Sequence, residues 1–203
     1  MGVCCDVSQV DEVQAMIDQV LDKFDQVDML VNNAGIQGKM DWIRNYAPAE
    51  WDKVFAVNLR GAFLCCRAVL PGMVGRGAGK IVNVDSGVMD ERVRYCVAAY
   101  SASKAGLINF TRQLAAETKR HGLHVNAIDP AGLQTEMSDQ VMAVGKAGPA
   151  FAEMQTNLNH GPRLRPPEAI VPLVVFLLSQ SSNMMTGRLL QASAPDDVLY
   201  LQL

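Results

Sequence analysis

Five short apolar runs divide this chain, with a helix-sized stretch after each of the first four. That alternation limits the fold more than any other feature. The runs are Val3-Cys4-Cys5, Asp28 to Val31, Lys80 to Val84, Leu123 to Ile128, and a last one near Leu189-Leu190. Met29-Leu30-Val31 is apolar throughout, as expected of a strand covered on both faces. Strand and helix in alternation imply right-handed crossovers, and so an α/β fold with a doubly wound parallel sheet and helices on both faces. Ligands of such sheets bind beyond the carboxyl ends of the strands. Asp6, Asn33, Ser86 and Pro130 follow predicted strands, which places them along one rim.

Local signals fill in the helices. Ser8, with Asp11 three residues on, reads as a capping-box-like start. Val10, Val13, Ile17, Val20, Leu21 and Phe24 then recur at helical spacing. Pro48 suits a first turn, and the helix it opens runs through Trp51, Val54, Phe55, Val57 and Asn58 towards Leu70. Pro71 and the glycines at 72, 75, 77 and 79 are expected to end it. Further helices are predicted over about 98–121 and 167–179. Pro172 should cost the last of these one hydrogen bond. Residues 135–162, rich in Met, read as an irregular lid over the rim. With 203 residues, no repeat and no linker, residues 1–203 are expected to form one domain.

Composition excludes several function classes. A net charge of −3 without a basic block gives no reason to expect nucleic acid or an anionic membrane as partner. The N-terminus lacks the apolar core of a signal peptide. The longest apolar run, Ile170 to Leu178, is far too short to span a bilayer. Five scattered cysteines without a Cys-x-x-Cys pair read as reduced, buried thiols of a cytoplasmic protein. His121, His124 and His160 have no metal-ligand spacing, so no metal is expected.

Chemistry concentrates between Ser86 and Lys104. Tyr100 and Lys104 are four residues apart at the start of a predicted helix and share one face. An ammonium beside a phenol favours the phenolate and lowers a pKa that starts near 10. Such a Tyr can exchange a proton with a hydroxyl or carbonyl near neutral pH. Each residue also has a plainer reading. Tyr-x-x-x-Lys is commonly a surface or packing pair, and Ser86 could be an ordinary turn serine. Asn33 could brace a turn, Asn58 could cap or kink a helix, and Asp6 could cap a strand end.

At these residues the chain resembles the short-chain dehydrogenase/reductase family, over nearly its whole length. Asn32-Asn33-Ala34-Gly35 matches the family's element after its fourth strand, and Val57-Asn58-Leu59-Arg60-Gly61 the helix segment with its catalytic Asn. Ser86, Tyr100 and Lys104 match the catalytic Ser and Tyr-x-x-x-Lys. Val125-Asn126-Ala127-Ile128, then Pro130 and Thr135, match the turn beside the nicotinamide. The resemblance implies a Rossmann-like fold and an NAD(P)-dependent oxidoreductase interconverting a secondary alcohol and a ketone by hydride transfer. Tyr100 would be general acid or base, and Lys104 would lower its pKa and bind the nicotinamide ribose. Ser86 would hold the substrate oxygen, and Asn58 a relay water. The cofactor would lie along Asp6, Val7, Asn33, Ala34, Gly35, Tyr100, Lys104, Pro130, Leu133 and Thr135. Acidic Asp6 favours NAD over NADP. A small-molecule alcohol or ketone is the implied partner, and a homo-oligomer, dimer or tetramer, the implied assembly.

The chain also departs from the family. The first strand, the Gly-rich turn and the second strand have no counterpart, so an N-terminally truncated form is expected, either a fragment of a longer chain or a degenerate member. Ala131 replaces a Gly and Asp85 a Ser, and the sequence after Gln191 differs from the family's Val-Asp-Gly-Gly. The competing reading is a catalytically impaired fragment that serves as an oligomerisation or interaction protein. A lyase or epimerase on the same fold would also keep Tyr100 and Lys104.

Overall fold

A computed structural model describes residues 1–86, 95–145 and 164–192. Four parallel strands form one sheet in the order β1-β2-β3-β4. They are β1 (Met29–Asn32), β2 (Gly79–Val84), β3 (Leu123–Asp129) and β4 (Leu189–Gln191). The helices are α1 (Val10–Phe24), α2 (Pro48–Phe55), α3 (Ala62–Arg76), α4 (Ala98–Thr118), α5 (Glu136–Gly145) and α6 (Val171–Leu178).

Alternation along β2 shows how the layers are built. Ile81, fully buried, packs with Cys66, Val69, Met73, Leu114 and Ala115 from α3 and α4. Val82 and Val84 point the other way, to Leu173 and Leu177 of α6. The sheet is therefore covered on both faces at β2, as the alternation predicts, but not at β1, where Met29 and Val31 are exposed on one face of the end strand. Each fully buried aliphatic contributes on the order of 1.5–3 kcal/mol. Asn83, also fully buried, is held by side chains on both sides. It accepts from Asn32 Nδ2 at 2.8 Å and donates to Thr111 Oγ1 at 2.8 Å.

The structure corrects several local expectations. Residues 3–5 form no strand, because among the described residues no neighbouring strand pairs with them. Ser8 does not cap α1. The helix is entered from Gln9, and Asp6 shapes the turn by accepting from the Ser8 backbone N–H at 2.9 Å. Pro71 does not end α3, which runs to Arg76 and stops at Gly77 with φ +69°. Burial of Val69 and Met73 on either side of Pro71 outweighs the hydrogen bond lost there. Pro172 falls in the first turn of α6, where its missing N–H has no helical partner to lose. Within the supposed lid, 136–145 is helical; Met154, His160 and the rest of 146–163 lie outside the described residues. Among the cysteines, Cys65, Cys66 and Cys96 are buried, Cys5 is half-buried and Cys4 is exposed.

Between α2 and α3 the chain makes a π-helical turn, Ala56–Gly61. By length and composition alone, the continuous helical stretch Pro48–Arg76 could cross a membrane. Its Val54, Leu64, Cys66 and Met73 are instead buried within the fold.

Candidate active site

The site begins where β2 ends and α4 starts. Cys96, at φ +62°, makes the tight turn into α4, and its carbonyl accepts from the Asp41 N–H at 3.1 Å. That bond fixes the loop after β1 against the start of α4. Tyr100 lies in the first turn, half-buried against Met40, Cys96, Val97, Trp42 and Val141. Lys104, one turn on, is 4% exposed. Its Nζ lies 5.9 Å from the centre of the Tyr100 ring and donates to the Val84 carbonyl at 2.8 Å. Lys104 thus ties α4 to the strand end that Ser86 follows.

Asn58 closes the third side. Its Nδ2 donates to the Ile36 carbonyl and to Ser103 Oγ, both at 3.0 Å, and its Oδ1 accepts from the Ile36 N–H at 2.8 Å. Ser103 Oγ in turn donates to the Tyr100 carbonyl at 2.7 Å. The Asn58 amide is therefore spent on bracing the strand-end turn against α4. A π turn suits this duty, since it redirects a side chain that a regular helix would aim elsewhere. Gly35 sits at the convergence. A Cβ there would lie 3.5 Å from both Asn58 Oδ1 and Lys104 Nζ.

The remaining rim residues are less tightly gathered. Asn33 and Ala34 are exposed after β1. Asp6 is exposed, while Val7 packs against the π turn, where a Cβ on Gly61 would lie 2.8 Å from Val7 Cγ2. Arg60 Nη1 donates to the Ser8 carbonyl at 2.5 Å, fastening the 6–8 turn to the Asn58 segment. Pro130, Leu133 and Thr135 are half-buried after β3. Thr135 exchanges hydrogen bonds with Ser138 to start α5. Ala131, in the family's glycine position, is held at φ +56°.

Burial sets the electrostatics. It pushes Lys104 below its ordinary pKa, an effect that the nearby Asp85 carboxylate opposes. It pushes the Asp85 carboxyl up to about 7, against the Ser86 backbone N–H and the charge of Lys104, and Asp129 adds to the rise. Asp6 behaves oppositely. The Ser8 backbone N–H and hydroxyl hold its carboxyl below the usual range. Burial raises the Cys65 thiol to about 11 and the Cys66 thiol to about 12, which leaves them inert near neutrality.

Ser103 escaped the sequence reading, although it lies three residues after Tyr100 and so on the same helix face. Asp129 escaped it too. Its position at a strand end was the available signal.

Comparison with known proteins decides the family. Residues 1–144 match the profile of the short chain dehydrogenases. The chain belongs to the short-chain dehydrogenase family. D-threitol dehydrogenase of Mycolicibacterium smegmatis is 35% identical over 196 residues, 92% of this chain and 69% of that one. Levodione reductase of Leifsonia aquatica is 32% identical over 201 residues, 96% of this chain and 73% of that one. Among solved structures, an NAD+-bound xylitol dehydrogenase superposes with a TM-score of 0.82 at 30% identity, over 93% of this chain and 76% of that one. The fold is therefore of the Rossmann type and, as a member of this family, the short-chain dehydrogenase is an oxidoreductase.

Proposed function

We propose that this short-chain dehydrogenase interconverts a secondary alcohol and a ketone, using a nicotinamide cofactor and Tyr100 as general acid and base. The observation that carries this reading is the buried Lys104 ammonium, one turn from Tyr100 and packed close against Gly35. An ammonium has three donors, and among the described residues Lys104 spends one, on Val84. The others suit a group rich in hydroxyls, so the residues fit a nicotinamide ribose. The bound cofactor would supply or accept the hydride.

The protein's own residues do the rest. Lys104 holds positive charge near the phenol and so favours its phenolate. Tyr100 gives a proton to the substrate oxygen in reduction and takes one in oxidation. Ser86, at the strand end beside Lys104, steadies that oxygen as charge develops. Asn58 keeps the Gly35–Ile36 backbone and α4 in register. Asp6, Val7, Asn33, Ala34, Pro130, Leu133 and Thr135 continue the cofactor rim. The ionised Asp6 would repel an extra phosphate, which favours NAD. Solved relatives carry NAD+ or NADP, so the preference is a matter for titration. Relatives named for threitol, xylitol and levodione point to small polyols or ketones as substrates.

A cytoplasmic homo-oligomer fits the same reading. Phe63 on α3 stays 44% exposed and meets Phe110 of α4 edge-on at 6.4 Å, an apolar face suited to a second copy. Residues 1–203 would act as one domain.

The test uses NADH fluorescence, and turnover with D-threitol, xylitol and small cyclic ketones. Tyr100→Phe should keep NADH binding and lose at least about 100-fold in turnover. Lys104→Ala should weaken both. Unchanged turnover in Tyr100→Phe would overturn the assignment.

A further inference from the structure

Asp85 directly follows β2, next to the carbonyl that Lys104 binds, and has no part in the chemistry above. It is 2% exposed, and neither carboxylate oxygen has a hydrogen-bond partner among the described residues. Only its backbone is tied, with its N–H donating to the Ile128 carbonyl at 2.7 Å. Buried polar groups are normally satisfied, and an orphan calls for a reason. The Ser86 backbone N–H lies near enough to favour the ionised form without closing a hydrogen bond, so burial first, and then neighbouring charge, decides the state of the carboxyl.

The charged and titratable groups around it can be named element by element. From α4 come Lys104 and, one turn earlier, Tyr100. From the end of β3 comes Asp129. Arg165, whose guanidinium donates to the Pro130 and Ala192 carbonyls, lies beyond the ends of β3 and β4. The face of α6 packed on β2 offers apolar Leu173 and Leu177. Lys104 is the cation bonded to the residue just before Asp85, through the Val84 carbonyl. No ion pair closes between the two side chains among the described residues. Each of these two buried groups feels the other's charge, so they titrate as a pair.

We propose that Asp85 and Lys104 share one proton-holding unit, in which Asp85 is a positioning residue that governs the charge on Lys104 and, through it, the proton affinity of Tyr100. This rests on the reading of Tyr100 and Lys104 as the catalytic pair. Ionised, Asp85 keeps Lys104 an ammonium and opposes a phenolate at Tyr100. Protonated from solvent, it withdraws both effects. A serine at position 85, as in the family's pattern, would give a site without this added ionisation.

The test is a carbon-13 NMR titration of the full chain, labelled at its Asp carboxyl carbons. One Asp should titrate within about a unit of neutrality while the others cluster near about 4. That signal should be absent in Asp85→Asn. In Lys104→Met its midpoint should rise, because the charge favouring ionisation is gone. Lys104→Gln serves if Lys104→Met does not fold, and Lys104→Arg should leave the midpoint in place. If every Asp titrates below about 5, or neutralising Lys104 leaves the midpoint unmoved, the proposal is overturned. NADH titration of the same samples separates the two readings. Binding without a neutral-range Asp overturns the pair alone. A neutral-range Asp that follows Lys104, in a chain that binds no NADH, overturns the catalytic reading and leaves the pair standing.

Discussion

Asp129 and Asp85 stand at the ends of neighbouring strands, both buried, and only one is satisfied. Asp129 accepts from the Ala131 N–H at 2.8 Å and from Gln191 Nε2 at 3.0 Å. Asp85, one step across the sheet, accepts nothing among the described residues. The first acid fastens the turn after β3 to β4. The second fastens nothing and faces the lysine of the site. Burial alone therefore does not tell a structural acid from a chemical one; the partners do.

Removing each acid in turn separates the two roles. Asp129→Ala should cost the most, about 3 kcal/mol, because two donors lose a charged acceptor. Urea unfolding at neutral pH would measure it, and a loss below about 1 kcal/mol would erase the contrast. Asp85→Asn should act in the opposite direction. An acid whose folded pKa is raised to about 7 favours folding while protonated, and that advantage is lost as pH rises from the unfolded value through the folded one. Wild-type stability should therefore fall between about pH 4 and 7, relative to Asp85→Asn. At pH 8 the variant should be the more stable by about 2 kcal/mol, roughly half the full linkage value, since a buried amide also lacks partners. At pH 5 the two should differ little. Equal stability difference at both pH values would mean that Asp85 does not titrate as described.

The smallest effect belongs to the turn itself. Ala131 is held at φ +56°, a region costly to residues with a Cβ. Ala131→Gly should relieve that strain and raise stability by about 0.5–1 kcal/mol, seen as a small rise in Tm. A fall would show that the φ is not the cost it appears by steric rules.

Most of the fold was legible in the sequence because strand and helix periods differ and each run here is clean. Lys80 to Val84 and Leu123 to Ile128 were placed within a residue or so of β2 and β3. The misreadings came where tertiary packing outweighs local preference. Pro71 argues for a break, but the burial of Val69 and Met73 carries α3 past it. Val3-Cys4-Cys5 has strand composition, but a strand exists only with a paired neighbour. Within the site, Tyr100, Lys104 and Asn58 were legible as a pattern. Their distances were not, since Lys104 reaches Val84 and Asn58 reaches Ile36 across long separations in sequence. Asp85 was visible as an odd residue beside Ser86. Its lack of partners emerges only from three-dimensional packing.

One consequence follows from the π turn at Ala56–Gly61. A π turn holds one residue more than the helix around it needs, so everything after Gly61 is rotated by about 100° relative to a straight continuation. That offset decides which side of α3 meets the sheet. Deleting a single residue there would spin Cys66, Val69 and Met73 off the core, and would also pull Asn58 from Ile36. The phasing of the longest helical stretch and the geometry of the site are thus set by the same surplus residue, and neither can drift without the other.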